Sequence, residues 1–264
     1  MRIVTEAQLH PLTDVVQIAV APLAGPLRGV GCVLQDACPV PFFGDAATAR
    51  IATVGLNPSH GEFEDAPGQL RAASRLPSRA DLGVDDWAEA SDGVFSRIAQ
   101  ACSYYFEGNP YWKWFNPLER MLERIGRGTF SDSGACHLDL VPWATRPVWG
   151  HLSEHERRLL LRQGQPVLHQ LLASLRVEAL LLNGTTVVEA FQSDTSNRLR
   201  CEYVDHWQIG RGTGRRWWGC INQIGGYRLR QPVTVLGWSG NLQSSFIRSA
   251  VRQSIFDWVA AKLS

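Results

Sequence analysis

Four short apolar runs constrain this chain most, because each ends in a loop of Gly, Asn, Pro or Ser. They are "RIATVGL" (50–56), "GACHLDLVPWATRPVW" (134–149, running into a loop at Pro142), "VEALLLNG" (177–184) and "PVTVLGWSGN" (232–241). Each reads as a buried strand. Helical patterns separate them. "SDGVFSRIAQACSYYF" (91–106) has a Ser/Asp start and helical apolar spacing. "NPYWKWFNPLERMLERIG" (109–126) begins with turn chemistry and ends at Gly126. In 153–175, Ser153 and Glu156 have capping-box spacing, and Gly164-Gln165-Pro166 predicts an interruption. A helix is expected from Thr185, and an amphipathic one at the carboxyl end.

Strands alternating with helices predict an α/β fold: a three-layer α/β/α arrangement around a central, mainly parallel four-stranded sheet. "CEYVDHWQIG" and "RRWWGCINQIG" alternate around "RGTG" and predict an inserted β-hairpin. Residues 1–48 read as an irregular amino-terminal segment. The polar stretch 61–91 reads as a functional or mobile loop. No linker or repeat divides the chain, so 1–264 is expected to be one domain. Ligands of such sheets bind beyond the carboxyl ends of the strands. The loops at Asn57, Pro142, Gly184 and Ser239 should therefore share one edge.

Composition excludes some classes. Apolar residues make up 45% of the 264 and charged residues 19%, a globular balance. No apolar run reaches membrane-spanning length, and a soluble, cytoplasmic protein is expected. The six cysteines form no C-x-x-C pair. A net charge of +1 predicts no polyanion partner by itself. Its distribution offers two basic groups: Arg71, Arg75 and Arg79 at spacings of four, and "RGTGRRWWG" (211–219). Basic residues beside aromatics can track phosphates and stack on bases.

The first strand-end loop, "GLNPSHG", resembles the opening motif of the uracil-DNA glycosylase superfamily, which reads G-Q-D-P-Y-H-G in one branch and G-I-N-P-G or G-M-N-P-G in others. "DLVP" puts Asp139 where the superfamily has a base-reading Asn in an N-x-x-P frame. "GWSGNLQSS" stands where it has H-P-S-P or N-P-S-G-L-S. The resemblance implies a monofunctional DNA glycosylase that flips a base into a pocket and hydrolyses its glycosidic bond. It implies DNA as partner, a monomer, and no metal or organic cofactor. Asn57 would position the water through its amide oxygen, with His60 as a second catalytic group. Asp139, Phe63 and Ser59 would contact the base, Phe63 by stacking. Ser239, Gly240 and Asn241 would bind DNA, with Leu242 as an apolar wedge and Arg211, Arg215 and Arg216 on the backbone.

Two departures narrow the expectation. Gly237 and Trp238 replace a histidine that would stabilise a departing base. A carboxylate at 139 only accepts hydrogen bonds, which suits a base edge with N–H groups rather than uracil O4. The expected activity is therefore excision of a damaged or modified base, not of plain uracil. The alternative is a protein of the same fold that binds a modified base without cutting it. Asp139 has a structural reading as well, capping a turn or pairing with Arg146. A metal hydrolase built on His137, Asp139, His151 and His155 is the weakest reading. "HLSEH" fits H-x-x-E-H, but Ser153 as helix cap leaves His151 outside the helix. "GRGTG" and "GWSGN" lack the contexts of a dinucleotide loop and of a nucleophile elbow.

Overall fold

A computed structural model describes residues 6–66, 69–71, 75–194 and 198–264. Residues 1–5 of the expected irregular segment, and 67–68 and 72–74 of the polar stretch, lie outside these. The helices are α1 (Glu6–Ala24), α2 (Asp92–Ser103), α3 (Trp112–Ile125), α4 (Glu154–Ser174), α5 (Thr185–Asp194) and α6 (Ser249–Leu263). The strands are β1 (Phe42–Phe43), β2 (Ile51–Gly55), β3 (Glu64–Ala66), β4 (Gln69–Leu70), β5 (Ala135–Asp139), β6 (Ala179–Asn183), β7 (Arg200–Ile209), β8 (Gly212–Ile224) and β9 (Tyr227–Trp238).

The fold is mixed α/β. Its main sheet has seven strands, in the order β1-β5-β2-β6-β9-β8-β7. The expected count of four fits only the parallel centre, β5-β2-β6-β9. The strand β1 adds antiparallel to β5, and β8 and β7 continue antiparallel beyond β9. All five residues of each of β2, β5 and β6 are buried, which is why these strands are mostly apolar rather than alternating; the polar exceptions are Thr53, His137, Asp139 and Asn183. The expected hairpin is β7–β8. It is not a separate insertion, because β9 begins at Tyr227 and pairs with β8 through the Gly225-Gly226 turn. The strand expected from 232 is five residues longer at its start, where Leu229 is buried between the exposed Arg228 and Arg230.

Three further expectations are corrected. The amino-terminal segment holds α1 instead of irregular chain. Pro11 and Pro22 disguise it, yet Leu12, Val15, Val16, Ala19, Val20 and Leu23 are buried at helical spacing. This face packs against α2 and α4, and Ala19 accepts from the Trp143 indole N–H at 2.9 Å. The helix α4 runs through Gly164 and Pro166 without a break. A Cβ at 164 would lie 2.5 Å from the Leu140 carbonyl oxygen, so glycine there lets the chain after β5 approach the helix closely. That packing outweighs the local breakers. The described part of 61–91 is a packed segment, not an open loop. Leu76, Leu82 and Trp87 are buried, and Arg97 donates to the carbonyls of Asp81 and Leu82. The capping box is as expected: Ser153 Oγ accepts from Glu156 N, and the Glu156 carboxylate accepts from Ser153 N. Among the described residues, no helix is long and apolar enough to cross a membrane.

Candidate functional site

The parallel strands end level with one another. Gly55 pairs with Asp139, and Asn183 with Trp238. The loops that leave these ends surround a cleft of about 590 Å³. Residues 55–60 form one side, Thr145 and 148–150 another, and Asn183–Val187 with Gly240 and Asn241 a third. Tyr111 and Trp114 close it. A narrower recess of about 50 Å³ opens deeper in, sharing Asn57, Pro58, Ser59 and Trp114 with the cleft and adding Phe43, Glu62, Phe115, His137 and Asp139.

Asn57 stands where the two cavities meet. Its Nδ2 donates to the Thr145 hydroxyl at 3.0 Å and to the carbonyls of Pro58 and Trp143 at 3.2 and 3.3 Å. Carbonyls only accept, so they fix which end of the amide faces them. The amide oxygen is turned the other way. Ser59 caps the following turn, its Oγ accepting from Gly61 N at 3.1 Å. Arg71 Nε and Arg75 Nη1 each donate to the Gly61 carbonyl at 2.8 Å. These two arginines thus pin the turn; they are not part of an open basic face. Arg79 is engaged with Asp36.

His60 lines the cleft, and its Nδ1 is buried without a hydrogen-bond partner. Partial burial, aided by Arg146, lowers its pKa, so the ring is neutral at pH 7. Glu62, on the same turn, faces the recess. Burial pushes its carboxyl up to about 7, against the opposing pull of the Tyr105 hydroxyl, which donates to it at 2.8 Å.

Asp139 also lines the recess. Its Oδ1 lies 3.3 Å from His137 Nε2, and His137 Nδ1 lies 2.7 Å from the Thr53 hydroxyl. Burial raises the Asp139 pKa, while His137 opposes the shift. A Cβ at position 55 would fall 2.5 Å from Asp139 Oδ1, so only glycine leaves room for this pair. The expected pairing with Arg146 is not made; Arg146 pairs with Glu64.

Other expected residues are placed differently. Phe63 is fully buried and lines neither cavity; Phe43, Trp114 and Phe115 are the aromatics beside the recess. Leu242 is fully buried as well, whereas Phe246, four residues on, is 75% exposed. Ser239 is buried, its hydroxyl accepting from Arg215 N at 2.8 Å, while Gly240 and Asn241 reach the cleft. Arg211 is exposed at the hairpin tip. Arg215 lies over Trp217 and near Glu189, and Arg216 pairs with Glu202. The tip lies at the cleft's end of the sheet: Arg216 is level with Trp238, and Ile209 bridges to Ile247. Gly237 has Val188 of α5 so close that an added Cβ would meet it at 2.6 Å.

Sequence reasoning missed Phe43, Glu62, Trp114 and Asn183. Asn183 fixes the 240–243 loop: its Oδ1 accepts from Leu242 N at 3.0 Å and its Nδ2 donates to Gln243 Oε1 at 2.8 Å. Its position at the end of "LLLN" was the available signal. Glu62 directly follows the quoted opening motif. Among the described residues, no group of three or more His, Cys, Asp or Glu is arranged to hold a metal ion. His151 lies in a short turn before Ser153, apart from α4.

No protein-family model matches this chain, and no curated protein matches it in sequence.

Proposed function

We propose that the chain is a DNA glycosylase of the uracil-DNA glycosylase kind, a three-layer α/β/α protein acting as a monomer on a flipped, damaged or modified base. The observation that carries this reading is the fixed amide of Asn57. Its nitrogen is held by two carbonyls and a hydroxyl, so its oxygen is the end that would accept from a water where cleft and recess meet. A water so oriented can attack C1′ of a sugar lying in the cleft as the bond to the base breaks. His60, neutral, with an unpartnered ring nitrogen and lining the cleft on the same loop, would take the water's proton.

The base edge would enter the recess against Asp139 and Glu62, with Phe43 and Trp114 beside its ring. Phe246 replaces Leu242 as the apolar side chain able to fill the vacated stack, since of the two Phe246 is the exposed one. Arg211 and the 240–241 backbone would meet the DNA. A binding module that does not cut is the second reading, favoured by one observation: Gly237 has no side chain and Val188 fills the space a donor would need. Base release from duplex and single-stranded oligonucleotides carrying uracil, hypoxanthine, xanthine or modified cytosines tests the first reading. An abasic product from any of them is expected. DNA binding without any product would leave the second.

A further inference from the structure

Resting on that reading, we propose that the recess selects a nucleobase bearing a positive charge, that is, an N-alkylated purine or pyrimidine. The recess has two carboxyl groups, Glu62 and Asp139, and three aromatic side chains, Phe43, Trp114 and Phe115. Carboxylates and aromatic faces both attract a planar cation. Among the described residues, no Lys or Arg lines it. Arg75 lies behind Glu62 at 3.9 Å but is held by the carbonyls of Gly61 and Asn109. His137 is occupied on both nitrogens, by Thr53 and Asp139. At about 50 Å³ the recess admits the edge of a base whose body lies in the cleft.

The charge also answers a chemical problem. A neutral base such as uracil departs as an anion, and two carboxyl groups would oppose it. When a cationic base leaves, the C1′–N bond breaks with both electrons going to the ring nitrogen. The base becomes neutral, the water oxygen bonds to C1′, and one water proton passes to His60 and from there to solvent. No negative charge collects on the leaving group, so a site with an amide instead of a carboxylate at 57 is sufficient. The groups facing Glu62 are the Tyr105 hydroxyl, Arg75, Arg71 and Asp139. As pH rises through about 7 its carboxyl ionises, and preference for a cation strengthens.

The test uses the full chain and oligonucleotides with one 7-methylguanine, 3-methylcytosine, uracil or hypoxanthine, in cleavable form and with a 2′-fluoro sugar that blocks release. We expect about tenfold or greater preference for the alkylated bases in both release and binding. Glu62→Gln and Asp139→Asn should each shrink that preference, moving the ranking toward uracil while circular dichroism stays unchanged. Should one variant not fold, the rise of the wild-type preference with pH gives the same information. Release of uracil or hypoxanthine at equal or greater rates overturns this inference and keeps the glycosylase reading. Tighter binding of the alkylated bases with no release keeps the inference and removes the glycosylase. Equal binding of all four with no release removes both.

Discussion

At the scale of single residues, the chemistry rests on side chains whose orientation is forced by their neighbours. Asn57 cannot flip, because its oxygen would then face the carbonyls of Pro58 and Trp143. An aspartate at 57, the residue a faster base would need, meets the same two oxygens. Asn57→Asp should therefore destabilise the fold, by about 1–3 kcal/mol in urea titrations at pH 7, and gain no activity. Glu62 shows the opposite logic. Its folded pKa is raised from 4.5 to about 7, so between those values the folded chain holds a proton that the unfolded chain has lost. Its contribution is fully present below 4.5 and falls as pH rises to about 7. Stability should drop over that window by up to roughly 3 kcal/mol. Glu62→Gln should flatten that part of the profile, and an unchanged slope would place the titration elsewhere.

At the scale of elements, the site depends on how strand ends are tied together. Asn183 at the end of β6 holds Leu242 and Gln243, and Gln243 donates to the Trp114 carbonyl in α3 at 2.8 Å. Two side chains, Asn183 and Gln243, thus couple a strand, a loop and a helix. Asn183→Ala leaves the buried Leu242 N–H without its partner and should cost about 1–3 kcal/mol. Faster hydrogen exchange in 239–248, with β2 and β5 unchanged, is the expected signature. The parallel strands were legible because burial on both faces writes a mostly apolar run. So was the hairpin, from its alternation about a Gly-rich turn. The helix α1 was hidden by two prolines, although its buried face has helical spacing. Asn57 and Asp139 were legible because they stand at strand ends, Asp139 as the last residue of β5 and Asn57 two residues past β2. Phe43 was not: it reaches the recess through the antiparallel pairing of Phe43 with His137, a contact between residues far apart in the chain. Leu242 and Phe63 were read as exposed or lining groups from their place in a motif, whereas packing puts both in the core.

At the scale of the whole molecule, one edge of the sheet gathers the cleft, the exposed Phe246 and the hairpin tip. The net charge of +1 gives no general attraction to DNA, so binding has to come from local contacts. Affinity for an oligonucleotide should fall with salt by about 0.9 log units per phosphate contact per log unit of salt on duplex. Arg211→Ala should lower that slope by about one contact. Arg216→Ala should alter it less, because Glu202 already neutralises that side chain. A flat salt dependence would point to a free nucleotide instead of DNA. The most direct measurement is single-turnover formation of abasic sites by the wild-type chain and by Asn57→Ala, at concentrations where each is saturated with the same damaged oligonucleotide. We predict release by the wild type and a loss of about 10²–10³-fold in the variant at unchanged affinity. Equal rates for the two proteins, or bound DNA with no abasic product from either, would contradict the account.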